Sequence, residues 1–211
     1  MRKFMPSALV TLAAAALTVG LGATSSGAAT ARTWTVKPGG AIGGSASNPT
    51  LKDQNTGTVL TCKTFKASGT AKSGSGLSGT GIAKISKVSF NTCTGPLGLS
   101  FTVTPAHLPW SLDALSYTAS TGVTKGKITG AHATLKGSGC SAVVDGTSAT
   151  ADNGSVSGTY TNSKHQLKTL TTGGNLHIYH VSGCFGLIAN GDTATLSGTA
   201  TISPAQTITS P

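Results

Sequence analysis

The sequence predicts an all-β protein, an antiparallel β-sandwich or barrel of about 10–12 short strands held by two disulfides. Three observations predict it. Small apolar residues alternate with Ser and Thr at a period of two, most clearly over Thr193–Ser203. Gly- and Asn-rich turn signals recur between these runs. The composition suits close-packed sheets rather than helices: 211 residues carry 29 Gly and 60 Ser plus Thr, only 9% charged residues and no Glu. A coiled coil or helical bundle needs Glu, Lys and Leu at helical spacing, and that pattern is absent beyond the first 24 residues.

Taken in chain order, the first strand holds Trp34 and Val36 on one face. Further runs lie near 40–46, 58–65, 67–72, 99–103 and 110–118. Others lie near 122–129, 131–136, 141–149, 155–161, 165–171 and 175–182. In the last clear run Ala194, Leu196, Gly198, Ala200 and Ile202 face one way, Thr and Ser the other. Turns are expected at Asn55–Gly57, Ser73–Gly76, Ser120–Gly122, Gly173–Gly174 and Asn190–Asp192. Asp152-Asn-Gly154, between two β-rich runs, is the strongest hairpin signal. One segment resists alternation. Ile82, Ile85 and Val88 recur every three residues, which fits a bulge, a strand buried on both faces or a helical turn. Ala and Val dominate the apolar content, so the core should be thin.

Residues 1–28 read as a secretory signal peptide, with cleavage expected between 28 and 31. Arg2 and Lys3 supply the positive start, Ala8–Ala23 the apolar stretch, and Ser26-Gly-Ala28 or Ala29-Thr-Ala31 the small-residue site. The alternative, a membrane anchor, is less favoured because a span needs about 20 apolar residues. No later run is long enough, so no transmembrane segment is expected in the mature chain. Residues 32–211 then form a single all-β domain.

Cys62, Cys93, Cys140 and Cys184 are even in number, as expected of disulfides in an exported chain. Four cysteines allow three pairings. A weak internal similarity favours Cys62–Cys93 and Cys140–Cys184: both halves read Cys, then Val-Ser, then Cys-x-Gly. The two halves would interlace. No close Cys or His pair has zinc-ligand spacing.

Lys and Arg number 15 against five acids, all Asp, for a formal charge of +10. Beyond residue 31, Arg32 is the only arginine. Lysine is a hydrated point charge without the bidentate fork that reads bases or clamps phosphates. Thinly spread lysines suit diffuse attraction to a polyanion, and no nucleic-acid partner is expected.

Candidate chemistry is sparse. His177 and His180 stand at i and i+3, on opposite faces of a strand, so they should not converge on a metal. His177 shares its face with Tyr179 instead. His107, His132 and His165 are scattered without ligand spacing, and neither a metal nor another cofactor is expected. No Gly-x-Ser-x-Gly elbow occurs, and five Asp without Glu leave little for glycosidase chemistry. Asp113 and Asp145 alone lie in apolar strand contexts, where structural, hydrogen-bonded carboxylates are expected. No catalytic residue is assigned. Pro105-Ala-His-Leu-Pro-Trp110 is the most distinctive run. Trp110 is either a platform for a sugar or lipid or, more simply, a core plug, and Trp34 is read the same way. The candidate binding residues are thus Trp110, His177 and Tyr179.

Cys93-Thr-Gly-Pro-Leu-Gly-Leu-Ser-Phe-Thr-Val103, Leu108-Pro-Trp110, Gly139–Thr147, Gly174–Tyr179 and the closing Ile202–Pro211 carry a resemblance. The chain resembles a family of uncharacterised small secreted proteins of actinobacteria. The resemblance implies export from a Gram-positive cell and carries over no functional residue.

The expected function is that of a secreted, non-enzymatic, disulfide-stabilised β protein held at the cell envelope by anionic wall polymers or lipid head groups. A carrier of a small apolar ligand is the alternative, and would need a cavity of a few hundred Å³. A secreted hydrolase is a further alternative, and would need a His–Asp–Ser cluster in a cleft.

Overall fold

Alternation resolves into sixteen strands in a computed structural model that describes residues 32–137 and 139–211. The expected signal peptide and its cleavage site lie outside the described residues. The strands are β1 (Thr33–Lys37), β2 (Gly40–Ser47), β3 (Thr50–Asp53), β4 (Val59–Ala71), β5 (Gly74–Ser78) and β6 (Ala83–Thr94). They continue as β7 (Ser100–Ala106), β8 (Trp110–Thr118), β9 (Val123–Gly137), β10 (Cys140–Asp145) and β11 (Gly154–Thr161). The last are β12 (Gln166–Thr169), β13 (His177–Ser182), β14 (Ala194–Ser197), β15 (Thr199–Ser203) and β16 (Thr207–Thr209). The one helical element among the described residues is a 3-10 turn, Pro96–Gly98.

The pairings close on themselves twice, which makes this a barrel rather than a sandwich. One ring runs β2–β4–β6–β8–β9–β11–β12–β15 and back to β2, antiparallel throughout. The other runs β3–β4–β6–β7–β9–β10–β13 and returns through a His177–Thr193 bridge to β14 and β3. Strands β4, β6 and β9 belong to both rings, and their lengths of 13, 12 and 15 residues follow from that. The strands are therefore more numerous than expected, and three are not short. The separate runs at 58–65 and 67–72 fuse into β4, and those at 122–129 and 131–136 into β9.

The Thr193–Ser203 run shows the reverse effect. It breaks at Gly198 into β14, which pairs β3 in one ring, and β15, which pairs β12 and β2 in the other. The irregular Ile82–Val88 segment is a bulge. Gly69 faces Ile85 but Ser68 faces Lys87, so Ser86 is the extra residue. The bulge resets the faces, so Ile85, Val88 and Phe90 all pack into one core.

Inward positions alternate with outward ones, strictly so along β11. Leu60, Ile85, Trp110, Leu135, Val144, Val156 and Ile178 form the main core. β1, β5 and β16 form a separate sheet whose Trp34 and Val36 pack on Ala71, Ile82, Ala83 and Ala114. This sheet closes the end of the first ring. Tyr160 ties it down from β11, its hydroxyl donating to the Gln206 carbonyl at 2.8 Å. Both disulfides form as paired in the sequence reading, Cys62–Cys93 and Cys140–Cys184. The first links directly opposed residues of β4 and β6, two of the three strands common to both rings.

Candidate functional site

The middle of β9 is where its neighbours change. Ala131 pairs with Gly154 of β11, whereas Ala133 pairs with Val144 of β10. On the other edge Thr129 pairs with Ser111 of β8, whereas His132 pairs with Ala106 of β7. His132 thus stands at the junction of the two rings. Register alone then delivers its companions. Asp145 ends β10 one residue past the partner of Ala133. His107 follows the partner of His132. Asp152 lies two residues before Gly154.

Asp145 is fully buried, and its carboxylate organises the junction. Its Oδ1 accepts N–H groups from Gly146 at 2.6 Å, Asn153 at 3.1 Å and Gly154 at 3.1 Å. Its Oδ2 accepts the Asp152 N–H at 2.9 Å and lies 3.0 Å from His132 Nδ1. Burial pushes this carboxyl up. The N–H groups of Gly146, Asp152 and Gly154 and the His132 imidazole more than offset that, and hold it below the ordinary carboxylate value. A side chain at position 146 would not fit: a Cβ there would stand 2.2 Å from Asn153 Oδ1.

This arrangement corrects the hairpin expected at Asp152–Gly154. β10 and β11 do not pair with each other; both pair with β9. The turn chemistry of Asp-Asn-Gly is spent on wrapping a buried carboxylate, with Asp152 in the left-handed region at φ 51°.

His132 is buried, and its Nδ1 also lies 3.2 Å from Asp152 Oδ1. His107 Nδ1 contacts the same Asp152 oxygen. The two imidazoles stack with centroids 4.4 Å apart and planes 14° apart. The scatter of His107 and His132 along the sequence was therefore misleading: with Asp152 they form a cluster of metal-ligating type, their donor atoms within 4.8 Å of one another. His107 and Asp152 keep half-exposed side chains, so the cluster opens to solvent on one side.

The residues singled out as binding candidates sit nearby but are otherwise engaged. His177 and Tyr179 share a face, ring centroids 6.2 Å apart. Tyr179 donates to the Gly146 carbonyl at 2.8 Å, and His177 Nδ1 lies 3.1 Å from the same oxygen. Both brace the turn that holds Asp145. His180 is exposed at a bulge, with φ 50°. Trp110 is buried, 6% exposed, and donates its Nε1–H to the Ala106 carbonyl at 3.0 Å. Its ring fills the core and offers solvent no platform; Trp34 is buried likewise, at 2%.

Among the described residues, no Ser or Thr hydroxyl hydrogen-bonds to His107 or His132. Interior cavities are small and apolar, of about 80, 60, 60 and 40 Å³. No helix among the described residues is long and apolar enough to cross a membrane.

The fold and this junction define a disulfide-stabilised all-β protein with a buried His–Asp network in its wall. The chain matches no protein-family model, no curated protein and no solved structure.

Proposed function

We propose that this is an exported, non-enzymatic protein that binds anionic polymers of the cell envelope, in a cell of the kind the sequence resemblance implies. The observation that carries the reading is the separation of charge by burial. Asp53, Asp145 and Asp192 are buried, Asp113 is half-buried, and of the five acids Asp152 alone is exposed. Arg32 and every lysine beyond it are exposed, save the half-buried Lys127. The ion pairs among the described residues all involve histidine, so the lysines keep their charge for a partner. The surface is thus more one-sidedly basic than the sequence count.

The lysines also stand in rows among hydroxyls. Thr159 of β11 lies between Lys125 of β9 and Lys168 of β12. On the other side of the ring Lys66 faces Ser89, and Lys87 faces Ser68. Lysines two strands apart are roughly 10 Å apart, close enough to act together on a polyanion at physiological salt. The carrier reading is less well supported, because cavities for small ligands run to about 300–1,000 Å³. Hydrolysis is less well supported because the His–Asp pair lacks a hydroxyl partner.

A second reading, attachment to anionic lipid, is favoured by Leu97 and Phe185, which are 96% and 83% exposed on loop tips. One experiment separates the two. The purified protein is incubated with native sacculi, sacculi stripped of anionic polymers, and anionic vesicles, across a salt series. Retention on native sacculi alone, lost above a few tenths molar salt, is the expected result. Retention on vesicles alone favours the lipid reading. No retention on any of the three overturns both.

A further inference from the structure

We propose that His107, His132 and Asp152 form a binding site for one first-row divalent transition-metal ion, such as Zn²⁺. The proposal goes beyond envelope attachment and does not depend on it. The donor set is two imidazole nitrogens and one carboxylate oxygen, the chemistry that such ions take from proteins. Hard ions such as Ca²⁺ and Mg²⁺ prefer all-oxygen sets.

The spacing admits a metal: the three donor atoms lie within 4.8 Å of one another. In a tetrahedral site with bonds of 2.0–2.1 Å, neighbouring donor atoms lie about 3.3 Å apart. His132 Nδ1 and Asp152 Oδ1 are 3.2 Å apart, and His107 Nδ1 reaches the same oxygen. Two imidazole nitrogens thus lie beside a single carboxylate oxygen, close enough for one ion to take all three as ligands. Asp145 Oδ2 now holds His132 Nδ1 at 3.0 Å; an ion would replace that contact and gain the anchored negative charge beside it. The geometry of the Asp145 carboxylate is fixed by four backbone N–H groups.

Two of the three ligands are also held in costly backbone conformations. His107 has φ 53° and Asp152 has φ 51°. Non-glycine residues in this region cluster where a fixed geometry is used. Both side chains are half-exposed, His107 at 50% and Asp152 at 42%, which leaves an entry path and room for a water or ligand atom on the ion.

The test is calorimetric titration of the purified, disulfide-intact protein with Zn²⁺, and with Ca²⁺ as the control. Saturable binding of one Zn²⁺ per chain and none of Ca²⁺ is expected. His107→Ala and Asp152→Ala should each weaken it at least tenfold. Both positions are solvent-facing, and unchanged near-ultraviolet circular dichroism verifies that the variants fold. His180→Ala, exposed elsewhere, should leave binding unchanged. Absence of saturable Zn²⁺ binding overturns the proposal. So does binding that survives both cluster variants, or that is lost in His180→Ala.

Discussion

Asp145 Oδ2 lies 3.0 Å from His132 Nδ1 at the point where β9 passes from one ring of strands to the other. The pair ties the end of β10 to the middle of β9. β10 ends at Asp145 and β11 begins at Gly154, and the carboxylate satisfies N–H groups of the intervening loop that the ladders leave unpaired. The carboxylate is therefore a structural keystone as well as the ground beneath the His107–His132–Asp152 cluster.

Replacing it should be severe. Asp145→Asn keeps the shape but turns an amide N–H₂ toward backbone donors, and it removes the charge that His132 faces. A loss of about 3–5 kcal/mol is expected, the cost of breaking a buried, charge-assisted network. Asp113→Asn should cost much less, since Asp113 is half-buried and accepts fewer bonds. Urea unfolding midpoints of the two variants, measured at neutral pH, check the contrast.

Stability should respond to acid in two opposing ways. Asp145 is held below the ordinary 3.8, so its contribution is full above that value and is lost as pH falls through its folded pKa. Asp192 behaves oppositely. Burial raises it, the Ala189 N–H lowers it, and the hydrogen bond and charge of Asp53 raise it further, for a net position above 3.8. Its contribution is therefore full below 3.8 and is lost as pH climbs through its folded pKa. Asp192→Asn should remove that decline and so stabilise the protein at neutral pH relative to the wild type. Unfolding free energies of wild type and variants from about pH 2.5 to 7 measure both slopes.

Much of the fold was legible because alternation is a local signal. The β11 pattern and the bulge alternative at Ile82–Val88 rest on residues near one another, and the pairing of the four cysteines rests on a short similarity between the two halves. Ring closure is not local. Whether a run is one strand or two depends on which neighbours flank it. Continuous alternation therefore broke at Gly198, while interrupted alternation fused across Lys66 and Gly130. The His–Asp cluster was illegible for the same reason: 45 residues separate His107 from Asp152, and only the register of β9 brings them together. The turn at Asp152–Gly154 was the one available signal. It was visible as turn chemistry, but nothing in its sequence said that its N–H groups face a carboxylate.

Gly154 begins β11 beside Ala131, and a Cβ there would stand 2.0 Å from the Ala131 carbonyl oxygen. The contact is with backbone, which has no rotamer to give. Gly154→Ala should therefore part β11 from β9 next to the cluster and destabilise by about 2–4 kcal/mol, well beyond a typical point mutation. Gly186→Ala is a fair comparison, since nothing lies near a Cβ there, though its φ of 75° adds strain of its own. Thermal unfolding of the two variants should show the larger drop for Gly154.

Cys62–Cys93 closes a loop of 31 residues between strands that serve both rings. By chain entropy it contributes about 3.5–4 kcal/mol. The Cys62→Ala/Cys93→Ala double variant should lose most of that, and both rings should loosen together. Hydrogen exchange distinguishes the outcomes: faster exchange in β11 of one ring and β10 of the other is expected, whereas loss confined to one ring would mean that the rings are stabilised independently.

Leu97 and Phe185 test the lipid reading from the other direction. Both are exposed, and neither supports the core. The double substitution Leu97→Ser/Phe185→Ser should therefore change stability by less than about 0.5 kcal/mol. If the loops enter a bilayer, removing the two side chains should cost several kcal/mol of partition free energy at about 25 cal/mol per Å² of apolar surface, enough to abolish flotation with anionic vesicles. If wall polymers are the partner, retention on sacculi should be unaffected, because the lysines are untouched. Vesicle flotation and sacculus binding of the same variant, run side by side, give the answer. Loss of both would mean that the tips and the lysines act on one partner together.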